Sequence, residues 1–156
     1  MKKYVLIVLI QFSVMAFTAV GQVAVGYQTD GNTLSLSTNH LNRFWGEFRI
    51  NTKSYNQADW SYSDRGITQL YCITRIFSSK IVSLNSGLGV GVNLLSEGTD
   101  KWVSVNIPLG LRMNPFPSLP NFYITGEYTP MIIVAEDIPV IHSVSIGFRY
   151  LLKRDN

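Results

Sequence analysis

An all-β fold, a closed antiparallel transmembrane β-barrel of about eight strands, is the class this sequence predicts, on three observations. Apolar and polar residues alternate over runs of about ten residues, the two-residue period of a strand with unlike faces. No helix-period pattern of comparable length occurs after residue 22. Charged residues make up 15% of the chain and the mean hydropathy is +0.14, whereas a water-soluble domain usually carries about 25% charged residues.

The N-terminus sets the compartment. Lys2 and Lys3 form a short basic stretch, residues 4–19 are apolar and almost uncharged, and Ala19-Val20-Gly21 has the small residues of a cleavage site. Residues 1–21 therefore read as a signal peptide and residues 22–156 as one barrel domain beginning at Gln22. The apolar run is shorter than the roughly 20 residues a spanning helix prefers, which weighs against a retained anchor. Loss of Lys2 and Lys3 lowers the formal net charge from +3 to +1, so the basic precursor is no argument for a nucleic-acid partner. Cys72, the single cysteine, lies far from the cleavage site and has no disulfide partner, so it reads as a packing residue.

The strands follow in order. Two short candidates, 23–28 and 33–38, flank Thr29-Asp30-Gly31-Asn32, where Asp-Gly signals a hairpin turn. Residues 44–53 set Phe44, Gly46, Phe48 and Ile50 against Trp45, Glu47, Arg49 and Asn51. Residues 67–77 are strand-like in composition, but Gln69 and Arg75 spoil one face and Thr68 and Thr74 the other. In 84–94, Leu84, Leu88, Val90, Val92 and Leu94 oppose a face holding Gly87, Gly89 and Gly91, which suits the crowded inside of a narrow barrel. Residues 103–113 alternate without exception, from Val103 to Met113 on one face and Ser104 to Arg112 on the other. That length is close to what a tilted strand needs to cross a bilayer. Segments 122–132 and 144–152 complete the set, with Glu127 and Arg149 among their polar-face residues.

With Gln22 in the periplasm, the periplasmic turns are 39–43, 78–81 and 114–121, and the outer loops are 29–32, 54–66, 95–101 and 133–141. The longest loop falls outside, as this class of barrel prefers, although the proline-rich 114–121 is long for a periplasmic turn. The polar faces are poor in lysine and rich in Ser, Asn and Gly. Their charges, Glu47, Arg49, Arg112, Glu127 and Arg149, are of both signs and suit a closed lumen with a polar network. Trp102, Trp60, Tyr62, Phe44 and Phe122 lie near strand ends, where interfacial aromatic girdles form.

Ser145-Ile146-Gly147-Phe148-Arg149-Tyr150-Leu151-Leu152 resembles the β-signal of bacterial outer-membrane proteins, although Lys153-Arg154-Asp155-Asn156 follows where many members end on an aromatic. Val105-Asn106-Ile107-Pro108-Leu109-Gly110-Leu111-Arg112 is similar to a strand of small outer-membrane barrels, including those of Bacteroidetes-like Gram-negative bacteria. The resemblance implies location in the bacterial outer membrane, outer-membrane lipid as surroundings and the barrel assembly machinery as a partner during biogenesis.

Catalytic chemistry is sparse. Lipid A deacylases of this barrel size place His and Ser two residues apart on one strand face with a carboxylate orienting the His. Here His142 and Ser143 are adjacent and point to opposite faces, and His40 sits in a turn with no serine near it. Gly87-Leu88-Gly89-Val90-Gly91 lacks the strand-turn-helix context of a phosphate loop. Glu97, Asp100, Glu136 and Asp137 read as solvated loop acids. The expectation is a non-enzymatic outer-membrane barrel with a structural or surface-binding role, without cofactor or metal. Tyr55, Trp60 and Tyr62 of 54–66 are its candidate contact residues for an unidentified surface ligand. The alternatives are a lipid A-modifying enzyme of the same fold and a soluble secreted β-barrel holding an apolar ligand inside.

Overall fold

The computed structural model describes residues 22–51, 67–92, 102–134 and 140–152. The predicted signal peptide, residues 1–21, lies outside them. The strands are β1 (Val23–Gln28), β2 (Thr33–Thr38), β3 (Phe44–Asn51), β4 (Thr68–Ser78), β5 (Val82–Val92), β6 (Val103–Asn106), β7 (Leu109–Met113), β8 (Phe122–Val134) and β9 (Val140–Leu152). Both β6 and β7 run between β5 and β8 in continuous register, so they are two halves of one stave. The break falls at Ile107-Pro108, where the proline has no N–H to donate to the ladder. Its carbonyl still accepts from the Gly87 N–H at 3.2 Å, and the Ile107 N–H donates to the Pro130 carbonyl at 3.1 Å. Eight antiparallel staves result, closed by pairing of β1 with β9 from Val23↔Leu152 to Gln28↔Gly147. Closure removes the unpaired edges an open sheet would leave.

Alternation decides which side chains enter the lumen. Ser104, Asn106, Pro108 and Arg112 are buried, while Val103, Ile107, Leu109, Leu111 and Met113 are exposed, so the 103–113 pattern persists across the break. The facing of β4, ambiguous in the sequence, is Gln69, Tyr71 and Ile73 inward. Its register against β5 shifts between Arg75 and Phe77. An extra residue there changes the parity, so no single alternation fits the whole strand. Cys72 is exposed on the outer face, which corrects its reading as a packing residue. Trp102 is likewise corrected: it is buried with Ile67, Met131 and Ile133 in an apolar cluster at the loop end. Strands β8 and β9 reach Val134 and Val140, inside the range 133–141 expected as a loop; residues 135–139 lie outside the described residues.

The β1–β2 hairpin is short, with six residues in each strand. It turns through Asp30–Asn32, with Gly31 and Asn32 both at positive φ (60° and 51°). By contrast β9 has 13 residues, and its upper part, above the Thr29 contact to Ile146, has no β1 residue beside it. Gly147 sits where the seam is tightest. A Cβ there would lie 2.1 Å from the Tyr27 carbonyl oxygen and 2.9 Å from the Gln28 Cα, whereas one at Gly126 would meet nothing within 4 Å. Gly147→Ala is therefore expected to cost about 1–3 kcal/mol by forcing the seam apart, and Gly126→Ala to stay within about 0.5 kcal/mol. Urea titrations of the detergent-folded protein, read by the mobility difference between unheated and boiled samples, check both values.

Candidate functional site

The centre of the lumen holds charge. Trp45, Glu47, Arg49 and Asn51 share the inner face of β3, β8 brings Glu127 and β9 brings Arg149. Arg49 donates through Nε to Glu47 Oε1 at 2.8 Å and grips both oxygens of Glu127, at 2.5 Å and 2.8 Å. Arg149 Nη2 donates to the same Glu47 oxygen at 2.7 Å. Glu47 is 0% exposed, so its charge is tolerated only because two guanidinium groups and the Trp45 indole N–H reach it. Thr129 Oγ1 donates to Glu127 at 2.8 Å, and the Tyr71 ring lies 4.3 Å below the Arg49 guanidinium. Room for that ring comes from Gly89, where a Cβ would fall 2.3 Å from it.

Arg112 is placed differently from the other four charges. Among the described residues it meets no carboxylate within ion-pair distance; its Nη1 donates to the His40 carbonyl at 2.6 Å. Its guanidinium also lies 5.5 Å from the Trp45 ring centre and 5.4 Å from that of Tyr123. His40, in the β2–β3 turn, is 0% exposed and packs edge-on against Tyr123. The turn thus folds into the barrel mouth, which the reading of His40 as an ordinary turn residue missed. Trp45 carried a signal, since it shares the parity of Glu47 and Arg49; the inward tuck of His40 carried none. Burial, with Arg149 and Arg112 nearby, pushes His40 down from its usual 6.5 to about 2.

At the loop end, Ser143 hydrogen-bonds Asp30. His142 lies on the outer face with its Nδ1 2.7 Å from the Tyr128 hydroxyl. The His–Ser pair that hydrolysis requires is therefore divided between two faces of β9. Two small cavities flank the charge cluster, each about large enough for one water-sized body. Among the described residues no three or more His, Cys, Asp or Glu side chains converge on a metal-sized site. Tyr55, Trp60 and Tyr62, and the acids Glu97, Asp100, Glu136 and Asp137, fall outside the described residues.

No protein-family model matches the sequence, and no curated protein matches it. Among solved structures, the chain is similar to the N-terminal β-barrel domain of OprF from Pseudomonas aeruginosa, with a TM-score of 0.55 at 12% identity, over 84% of this chain and 96% of that one. It also aligns with Ail, the attachment invasion locus protein of Yersinia pestis, over 84% of this chain and 94% of the other, at 18% identity and a TM-score of 0.42. The first likeness is one of fold; the second is too loose to add to it.

Glu47→Gln leaves two buried guanidinium groups short of a counter-charge and is expected to cost about 3–5 kcal/mol. Glu127→Gln, at a more exposed position, is expected to cost less, and the same urea titrations rank the two. Acid is expected to weaken the barrel through His40. Above pH 6.5 the ring is neutral whether the chain is folded or not; below it the unfolded chain takes up a proton that the folded barrel refuses. Stability should then fall by up to about 1.4 kcal/mol per pH unit as pH drops from 6.5 towards 2. His40→Phe should remove this contribution, seen as a flatter plot of unfolding free energy against pH.

Proposed function

We propose that this protein is a non-enzymatic barrel of a Gram-negative outer membrane, exported by a cleaved signal, with a structural or surface-binding role. One observation carries the reading: the polarity of the fold is inverted. Glu47, Arg49, Asn106, Arg112 and Arg149 are buried, while Val144 is 74% exposed, Ile146 64%, Leu88 59% and Leu34 57%. A water-soluble barrel would bury such residues and lose stability by turning them outward. Lipid is the solvent in which this distribution costs nothing. The outward aromatics Phe44, Phe122 and Tyr150 fit an interfacial position at the turn end.

The polar lumen speaks against a soluble carrier of an apolar ligand, because its cavities are small and border charged groups. The separation of His142 from Ser143 speaks against a lipid A hydrolase. The loop residues 54–66, with Tyr55, Trp60 and Tyr62, are the proposed contact region for a surface ligand. Outer-membrane lipid and the barrel assembly machinery are the proposed partners in the membrane and during biogenesis.

Expression of the complete chain followed by fractionation should recover it in the detergent-soluble outer-membrane fraction, with a mobility shift on boiling. A buffer-soluble periplasmic species without that shift would refute the proposal. Ile146→Arg separates the two environments further. Near the middle of a bilayer it should cost about 2–4 kcal/mol, whereas at a water-exposed site the change should stay within about 0.5 kcal/mol. Unfolding titrations in lipid vesicles make the distinction.

A further inference from the structure

The charges in the lumen do not balance. Inward-facing side chains of the described strands supply three guanidinium groups, Arg49, Arg112 and Arg149, against two carboxylates, Glu47 and Glu127. Glu127 gives both oxygens to Arg49, and Glu47 is shared by Arg49 and Arg149. Arg112 is left 4% exposed with a backbone carbonyl and two ring faces as its partners. Arg75, at the same end of the barrel, adds a further positive charge and donates to the Leu41 carbonyl at 3.0 Å. Asp30 lies at the opposite end, engaged by Ser143.

One cavity borders the unbalanced groups. Arg112, Arg149, Asn85, Trp45 and Gly110 line it, with Glu127 on a further wall. Asn85 is 7% exposed and its Oδ1 has no hydrogen-bond partner. A half-turn of this amide would present its NH2 group in place of the unpartnered oxygen. Buried guanidinium groups without a counter-charge are costly, and water relieves that cost less well than an anion does.

We infer that this cavity at the turn end of the lumen is a binding site for one small monovalent anion, of the halide class. Arg112 and Arg149 hold it by charge, and the Asn85 amide completes its shell. The limited space excludes phosphate and sulfate, and the Glu127 charge on the far wall disfavours a dianion. The site rests on the interior of the barrel and is independent of where the barrel resides.

The test uses the full chain folded in detergent at constant ionic strength, with chloride or bromide exchanged for gluconate. The unfolding midpoint should rise with halide and saturate, and crystals grown in bromide should show an anomalous peak between Arg112 and Arg149. Arg112→Gln should weaken the halide response about tenfold or more, the loss expected for one charged hydrogen bond. Gly110→Ala offers a gentler variant that keeps both arginines. Its added methyl would approach no neighbour closer than 3.6 Å yet would narrow the cavity, and the halide response should weaken. Gly46→Ala, at a residue that does not line the cavity and where an added methyl meets only the Tyr71 carbonyl at 4.0 Å, should leave the response unchanged. Equal midpoints in halide and gluconate, a bromide peak confined to the surface, meaning an adventitious ion only, or an undiminished response in both Arg112→Gln and Gly110→Ala would each overturn the inference.

Discussion

A carboxylate with no exposed surface, Glu47, is the element on which the interior depends. It is bearable because Arg49 and Arg149 converge on one of its oxygens, and that convergence requires β3 and β9 to face each other across the lumen in one register. Arg49 then reaches onward to Glu127 on β8, so β3, β8 and β9 are tied through the Glu47–Arg49 pair. The ring of Tyr71 supports Arg49 from below, and the absence of a side chain at Gly89 makes room for the ring. A one-residue slip of any of these strands would turn the charge outward and leave its partners stranded.

Such an interior changes what holds the chain together. Apolar burial, which dominates the stability of a soluble domain, is limited among the described residues to two small clusters, Ile67-Trp102-Met131-Ile133 and Trp45-Tyr71-Ile73, and to Ala24 and Leu151. Cohesion comes instead from a closed backbone ladder and from ion pairs sheltered from solvent. The apolar outer wall contributes only when an apolar medium surrounds it, which is why the fold and the proposed environment belong to one explanation.

Much of this was legible along the chain because strand facing is a local property. The alternation from Val103 to Met113 and the shared parity of Glu47 and Arg49 needed only the two-residue period. Facing was ambiguous at β4 because its inner face mixes Gln69 with Tyr71 and Ile73 and its outer face mixes Thr68 and Thr74 with Leu70 and Cys72; the shift between Arg75 and Phe77 comes only near the end of the strand. Pairings were illegible for a different reason. Arg49 and Glu127 stand 78 residues apart, and nothing local tells Arg49 to choose Glu127 while Arg112 finds a backbone carbonyl instead. Trp102 looked like a girdle residue by its place at a strand end, yet it shares the parity of Ser104 and Asn106 and points inward, where Ile67 and Met131 receive it. His40 entered the barrel mouth through the path of its turn, a feature that composition does not encode.

The unequal lengths of the strands give the wall a mechanical character. Strands β1 and β2 have six residues each, and the rows that join them to each other, to β3 and to β9 hold five or six register pairs, against ten where β4 meets β5 and eleven where β8 meets β9. The wall is therefore fastened most lightly along the whole hairpin and not along a single joint. The barrel is less a uniform tube than a sleeve with a notch cut into one side of its rim.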